Sequence, residues 1–220
     1  VFLVNPNGIV FGANARIDVN GLVASTHDIG NDDFMAGNYQ FNISGKTDAS
    51  ILNQGTISIR DSGLAAFVAP AVRNDGIIQA KLGKVTMASG TGFSLDLYGD
   101  QLVELAVDPV NLRAITTDGT LVESLVENNG LIESQIVVLT ANAARDVVDS
   151  VINMTGVIQA QTVSQEGGKI ILGGSVSSSS ITVSGTLDAS AGATTEAANG
   201  GEIVVYSEQV NNEATSTLTA

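Results

Sequence analysis

Apolar residues along this chain alternate with polar ones in short runs, and each run opens at a glycine. Asn53-Gln54-Gly55-Thr56-Ile57-Ser58-Ile59 is one such phrase. It returns as Asn74-Asp75-Gly76-Ile77-Ile78-Gln79-Ala80, Asn129-Gly130-Leu131-Ile132-Glu133-Ser134, Thr155-Gly156-Val157-Ile158-Gln159-Ala160 and Ser184-Gly185-Thr186-Leu187-Asp188-Ala189. The second and fourth residues after each glycine are Ile57/Ile59, Ile78/Ala80, Ile132/Ser134, Ile158/Ala160 and Leu187/Ala189, while the third are Ser58, Gln79, Glu133, Gln159 and Asp188. A period of two with one dry and one wet face predicts β-strands. A second alternating phrase follows each copy, presenting Ala65/Phe67, Val85/Met87, Val137/Leu139, Ile170/Leu172 and Ile203/Val205 on one face. The pattern therefore predicts two strands per repeat.

The opening glycines of the first phrase step by 21, 54, 26 and 29 residues. Steps in the twenties match single coils of a solenoid, and the long step has to hold an extra coil or a decorating hairpin within Phe93–Glu127. Two inward residues are too few to stabilise a lone strand. Stacked in register, each buried Ile or Leu would contribute roughly 1.5–3 kcal/mol. The expectation is an all-β, right-handed parallel β-helix with extra-helical hairpins or loops. About nine or ten coils at about 4.8 Å would form a rod roughly 45 Å long. Glycine at the corners is expected to supply positive φ. One stretch departs from the pattern: Ala141–Val151 places Ala144, Val147, Val148 and Val151 at helical spacing, where a short helix competes with a loop crossing a corner.

Composition narrows this further. Of the 220 residues, 44% are apolar but only 4% aromatic, which suits a core of Val, Ile, Leu and Ala and argues against disorder. The longest apolar runs, such as Leu64–Val72, fall well short of the roughly 18 residues of a membrane span, so the chain is not expected to be membrane-embedded. The net charge of −14 lacks the footprint of a nucleic-acid binder and disfavours an anionic lipid surface. Cysteine is absent, which removes disulfides, thiolate nucleophiles and Cys-ligated zinc. The chain opens at Val1-Phe2-Leu3-Val4 without an initiator Met or a basic leader, and reads as a fragment beginning in mid-strand.

That opening continues as Asn5-Pro6-Asn7-Gly8-Ile9-Val10-Phe11-Gly12. With Val19–Thr26, Asn53–Ile57, Val138–Ala141, Asp149–Asn153 and Gly156–Ala160, it resembles the filamentous-haemagglutinin-like exoproteins of Gram-negative two-partner secretion. Asn5-Pro6-Asn7-Gly8-Ile9 resembles the family's NPNGI motif and is the most specific of these segments. The resemblance implies a right-handed parallel β-helix and export through a dedicated outer-membrane β-barrel transporter whose periplasmic POTRA domains bind this region. It implies a secreted or cell-surface adhesin, with host-surface or glycan receptors engaged by distal regions. An earlier NPNL-type motif and an N-terminal capping segment, usual in the family, do not occur here. The expected unit is thus one domain, 1–220, lacking its cap, with Asn5, Pro6, Asn7, Gly8 and Ile9 as the partner and secretion motif. A plain structural role fits the same residues, because Pro presets a turn and Asn-Gly accommodates positive φ.

A β-helix fold is also compatible with a polysaccharide lyase or hydrolase, and with a passive spacer of a fibrous adhesin. The enzyme requires carboxylates clustered with a base or cation. The candidates Asp32, Asp33, Asp96, Asp100, Asp108, Arg60 and Arg73 share no strand position, and His27, the sole histidine, reads as a loop or turn residue. No catalytic residue, cofactor or metal site is therefore predicted. Asp32-Asp33 is an ordinary acidic pair, and there is neither a calcium-binding nonapeptide array nor a His-rich cluster. The sequons Asn42-Ile43-Ser44 and Asn153-Met154-Thr155 are read as chance in a bacterial protein.

Overall fold

A computed structural model describes residues 1–95, 103–106, 124–141, 150–161, 167–174, 180–191 and 199–220. Strands dominate, and the two large sheets consist entirely of parallel pairs between successive coils. The chain is a parallel β-helix with three strands per coil, one more than the sequence phrases predict. The first face of each coil belongs to a seven-stranded sheet: Ile9–Phe11, Ser50–Asn53, Ala71–Asn74, Ser124–Asn128, Ser150–Met154, Ser180–Val183 and Gln209–Asn212. The second and third faces share a twelve-stranded sheet, because Ile77–Ser89 and Leu131–Ala141 each run on through the corner between them.

Six consecutive coils carry all three faces among the described residues, from Ile9–Ser25 to Ser180–Tyr206, with Phe2–Val4 before them and Gln209–Thr219 after. This corrects the expected nine or ten coils and shortens the stack to roughly 30–35 Å at about 4.8 Å per coil. The difference lies in two insertions that leave the stack. Across the long step Ile77 pairs directly with Leu131, so no coil intervenes. Gly92–Leu95 instead pairs antiparallel with Val103–Ala106 and with Gln40–Phe41, a decorating three-stranded sheet. The other insertion carries an unpredicted helix, Asn31–Ala36, which none of its residues anchors by full burial and which Gly37 ends at φ 74°. The stretch Ala141–Val151, read as a short helix or a loop crossing a corner, falls mostly outside the described residues; Ala141 ends one strand and Ser150–Val151 open the next.

Register turns the sequence phrases into ladders. Ile17, Ile57, Ile78, Ile132, Ile158, Leu187 and Leu218 pair rung by rung along the second face. On the third face run Ala65, Val85, Val137, Ile170 and Ile203, beside Phe67, Met87, Leu139, Leu172 and Val205. The first face adds Ile9, Ile51, Val72, Val126, Ile152, Ile181 and Val210. These rows fill one continuous bore. The outward row Ser58, Gln79, Glu133, Gln159 and Asp188 pairs in the same register, with Gln79 Nε2 donating to Glu133 Oε2.

The first face also places asparagine inside. Asn53, Asn74 and Asn128 are buried one above another. Asn53 Nδ2 donates to Asn74 Oδ1 at 2.8 Å, and Asn74 Nδ2 donates to Asn128 Oδ1 at 2.8 Å. Each of the first two carboxamides also accepts the amide of the glycine two residues on, Gly55 at 3.1 Å and Gly76 at 3.3 Å. Asn128 ends the series against the Gly130 carbonyl at 3.3 Å and Met154 Sδ at 3.4 Å. Every rung thus feeds the next, which is how amides tolerate a dry interior.

The glycines beside this seam serve a purpose other than the expected one. Among the described glycines positive φ is confined to Gly8 and Gly37. At Gly76, Gly130, Gly156 and Gly185 an added Cβ would land inside the carbonyl oxygen of the preceding coil's glycine. The corner needs glycine because the backbones of adjacent coils come so close there.

Two measurements check these points. Gly130→Ala is expected to cost roughly 1–3 kcal/mol by overpacking, whereas Gly12→Ala, with nothing near its Cβ position, should stay within about 0.5 kcal/mol in urea unfolding. Asn74→Leu should cost about 1–3 kcal/mol for each polar partner it orphans. Replacing Asn53, Asn74 and Asn128 together by leucine should then cost less than the sum of the three single changes.

Candidate functional site

Asn5-Pro6-Asn7-Gly8 joins the strand Phe2–Val4 to Ile9–Phe11 as a β-turn. Gly8 N–H donates to Asn5 O at 3.1 Å, closing the turn with proline in its second position. Asn5 Oδ1 accepts the Asn7 amide at 3.0 Å, an Asx-turn inside the β-turn. Positive φ falls on Gly8 alone, at 110°, where a Cβ would press on Ser50 O at 3.0 Å. Asn5, Pro6 and Asn7 are exposed, Gly8 is half-buried and Ile9 is buried as the first rung of its ladder. The five motif residues are thus brought together, three facing solvent and two fixing the backbone.

What holds the turn comes from elsewhere in the chain. Asn5 N–H donates to Ser25 O at 3.0 Å, and Lys46 N–H donates to Pro6 O at 3.0 Å. Ser25 is where the first insertion leaves the coil and Lys46 is where it returns, so the turn sits on the neck of that insertion. Asp28 and Ile43 close the neck by exchanging backbone hydrogen bonds of 2.7 and 3.1 Å. Gly45 fits there because an added Cβ would overlap Thr26 O and crowd Pro6. Nothing in the short-range pattern marks Ser25, Gly45 or Lys46 as partners of the motif; the only hint is the length of the stretch between Ser25 and Ser50.

His27 lies in the same neck. It occupies a bend, as expected for a turn residue, yet the residue is only 2% exposed. Ser25 Oγ fixes its backbone from both sides, accepting His27 N–H and donating to His27 O, each at 2.8 Å. The imidazole bonds the Val68 carbonyl, which favours the charged form, but burial outweighs it and pushes the basicity below that of an ordinary histidine.

Beyond the neck, the inserted segments cover the outer side of the third face. Val23, Leu64, Ala66, Val68 and Ala88 meet Phe41, Phe93 and Leu95 in a second core. Phe41 and Phe93 stack at 4.3 Å, Phe2 and Tyr39 at 5.4 Å, and Phe34 meets Phe2 edge-on at 5.4 Å. The catalytic candidates do not converge. Asp32 and Asp33 lie on the helix, and Arg73 pairs with Asp75 at 2.7 Å and Glu127 at 3.5 Å on the first face. Arg60 sits at a corner, and Asp96, Asp100 and Asp108 lie outside the described residues. Among the described residues no three acidic or histidine side chains gather as a metal site, and no helix is long and apolar enough to cross a membrane.

The family model of the TPS secretion domain matches residues 1–189. The chain belongs to the TPS secretion domain family. Two Heme/hemopexin-binding proteins of Haemophilus influenzae are similar to it, at 26% identity over 193 residues and, in strain Rd, 29% over 183. Each match spans 78% of this chain but only 20% and 18% of the relative, so the chain spans about a fifth of their length. The HMW1 secretion domain from Haemophilus influenzae shares the fold with a TM-score of 0.65 at 23% identity, over 99% of this chain and 63% of that one. The TPS domain is therefore a parallel β-helix, in the fold it shares with the HMW1 secretion domain. Its family is not an enzyme class, and membership implies an outer-membrane transporter as partner.

Within the TPS domain the motif turn is pinned by its own Gly8–Asn5 bond and by its links to Ser25 and Lys46. Gly8→Ala is expected to lose roughly 1–2 kcal/mol, because its φ is one that L-residues avoid and its Cβ meets Ser50 O. Urea unfolding of the variant checks this.

Proposed function

We propose that the turn Asn5-Pro6-Asn7-Gly8-Ile9 is read by the POTRA domains of the outer-membrane transporter, and that the domain then starts β-helix folding outside the cell as the head of a surface-exposed adhesin. The observation that carries this reading is the division of roles within the motif. Asn5, Pro6 and Asn7 are exposed, while three backbone hydrogen bonds, from Gly8 and Lys46 and to Ser25, hold their main chain in one shape. A loop that served only to turn the chain would not need to fix outward carboxamides.

The stack supports the second half of the proposal. Each coil pairs only with its neighbours, so a chain emerging through a pore can add coils one at a time, each templated on the last. We take 1–220 as one domain, since the aliphatic ladders run unbroken from Ile17 to Leu218. Host-surface or glycan binding is assigned to regions beyond this chain, which spans about a fifth of its curated relatives.

Asn5→Ala removes two local hydrogen bonds, those from the Asn7 amide and Nδ2, and Asn7→Ala removes one; at about 0.5–1.5 kcal/mol each, the isolated domain should still fold. Secretion of the full-length exoprotein should nevertheless fall sharply, and capture of the domain by immobilised POTRA domains should weaken in parallel. Normal secretion of both variants sinks the assignment. Normal secretion of both variants by a domain that never binds POTRA domains indicates a passive spacer instead.

A further inference from the structure

The neck under the motif turn buries the chain's single histidine, and with it a ring nitrogen that has no hydrogen-bond partner. His27 is buried, and its Nδ1 has no partner among the described residues. The Val68 carbonyl, which accepts the Thr26 amide at 3.1 Å, also faces the imidazole and favours its charged form. The neutral ring leaves an unpaired acceptor here but carries no charge into the buried site. A protonated ring has two N–H groups and a charge, with an acceptor for only one of them.

We propose that His27 is a proton-operated latch: neutral, it keeps the insertion neck closed under the motif turn, and protonated, it releases the neck in mildly acidic solution. The connections that would loosen are on either side of it. Ser25, whose carbonyl receives Asn5 N–H, is bonded twice to the His27 backbone, and Asp28 exchanges its pair of bonds with Ile43 across the neck. Pushing the imidazole out of its pocket therefore disturbs both the motif turn and the root of the aromatic layer. The charged groups on the surrounding segments are Asp28 beside it, Asp32 and Asp33 on the helix, Lys46 and Asp48 on the returning segment, and Lys84 on the third face. The strand Leu64–Ala69, which carries Val68, has none. No neighbouring charge sets the balance at His27; burial does, opposed only by the Val68 carbonyl.

The sign follows from linkage. The unfolded chain takes up a proton near pH 6.5 and the folded chain only at lower pH, so the unfolded state binds more protons in between. The stability contributed by a neutral His27 is complete above about pH 6.5 and declines as pH falls from there towards the lowered folded value.

Because this is the only histidine, its imidazole C–H resonances report it without overlap. In the 220-residue chain the titration midpoint should lie below 6.5. Amide exchange at Asp28, Ile43 and Lys46, corrected for intrinsic rates, should accelerate at least tenfold between pH 7 and pH 5, while Ile78 and Ile132 in the stack change little. In His27→Gln, whose amide keeps a donor for Val68 O but cannot ionise, the neck acceleration should vanish. A midpoint at or above 6.5, or equal acceleration in His27→Gln, overturns the latch. Should that variant fail to fold, the wild-type midpoint and the contrast between neck and stack amides decide the matter alone. The latch concerns this chain's own neck, so its failure leaves the secretion assay of the motif variants unaffected.

Discussion

Everything in this structure depends on how closely one coil lies on the next. Parallel strands pair at about 4.8 Å only if nothing stands between their backbones, and the corners are where a side chain would stand. The column Gly55, Gly76, Gly130, Gly156 and Gly185 keeps that space empty, each glycine seated against the coil before it. Register follows from this contact, and from register follow the ladders of Ile, Leu and Val. The asparagine seam is a second consequence: carboxamides can bond from coil to coil at 2.8 Å only when the coils are one strand apart.

The bore and the outer layer divide the side chains between them. A coil interior of three short strands takes aliphatic residues repeatedly, and of the eight described aromatic residues only Phe11 and Phe67 belong to it. Phe2, Phe34, Tyr39, Phe41 and Phe93 instead stack outside, where two insertions cover a third face that is apolar on both sides. The strand Leu64–Ala69 is buried along its whole length for this reason. The low aromatic content therefore reflects the repeat, and the stacked group of Phe2, Phe34, Tyr39, Phe41 and Phe93 marks where insertions cover it.

The second and third faces were legible in the sequence because their inward positions keep one chemical class over many coils. The first face was not, because its last inward position changes class: Asn53, Asn74 and Asn128 give way to Met154 and Val183. An asparagine two residues before a glycine reads as part of a turn, and here it is the buried end of a strand. The short helix escaped notice because six residues with no fully buried face carry no periodic signal. The glycines were located correctly but for the wrong reason, since close approach and positive φ leave the same letter in a sequence. The motif itself was legible, whereas its clamp was not: Ser25, Lys46 and Ser50 reach it only through pairing at long range.

Two buried polar arrangements in the same low-dielectric interior behave in opposite ways. In the asparagine seam every carboxamide has donors and acceptors matched by its neighbours, and no amide changes charge with pH, so the seam is satisfied under all conditions and acts as a rigid spine. His27 leaves one ring nitrogen unpartnered when neutral, and protonation would add a buried charge and an N–H without an acceptor. Rigidity therefore belongs to the middle coils, and conditional stability belongs to the neck on which the exposed Asn5, Pro6 and Asn7 rest. The turn's shape is tied to the neck by the Ser25 and Pro6 carbonyls. A partner that reads the turn in that shape thus reads whether the first coils and their insertion have come together, and not merely whether five residues are present.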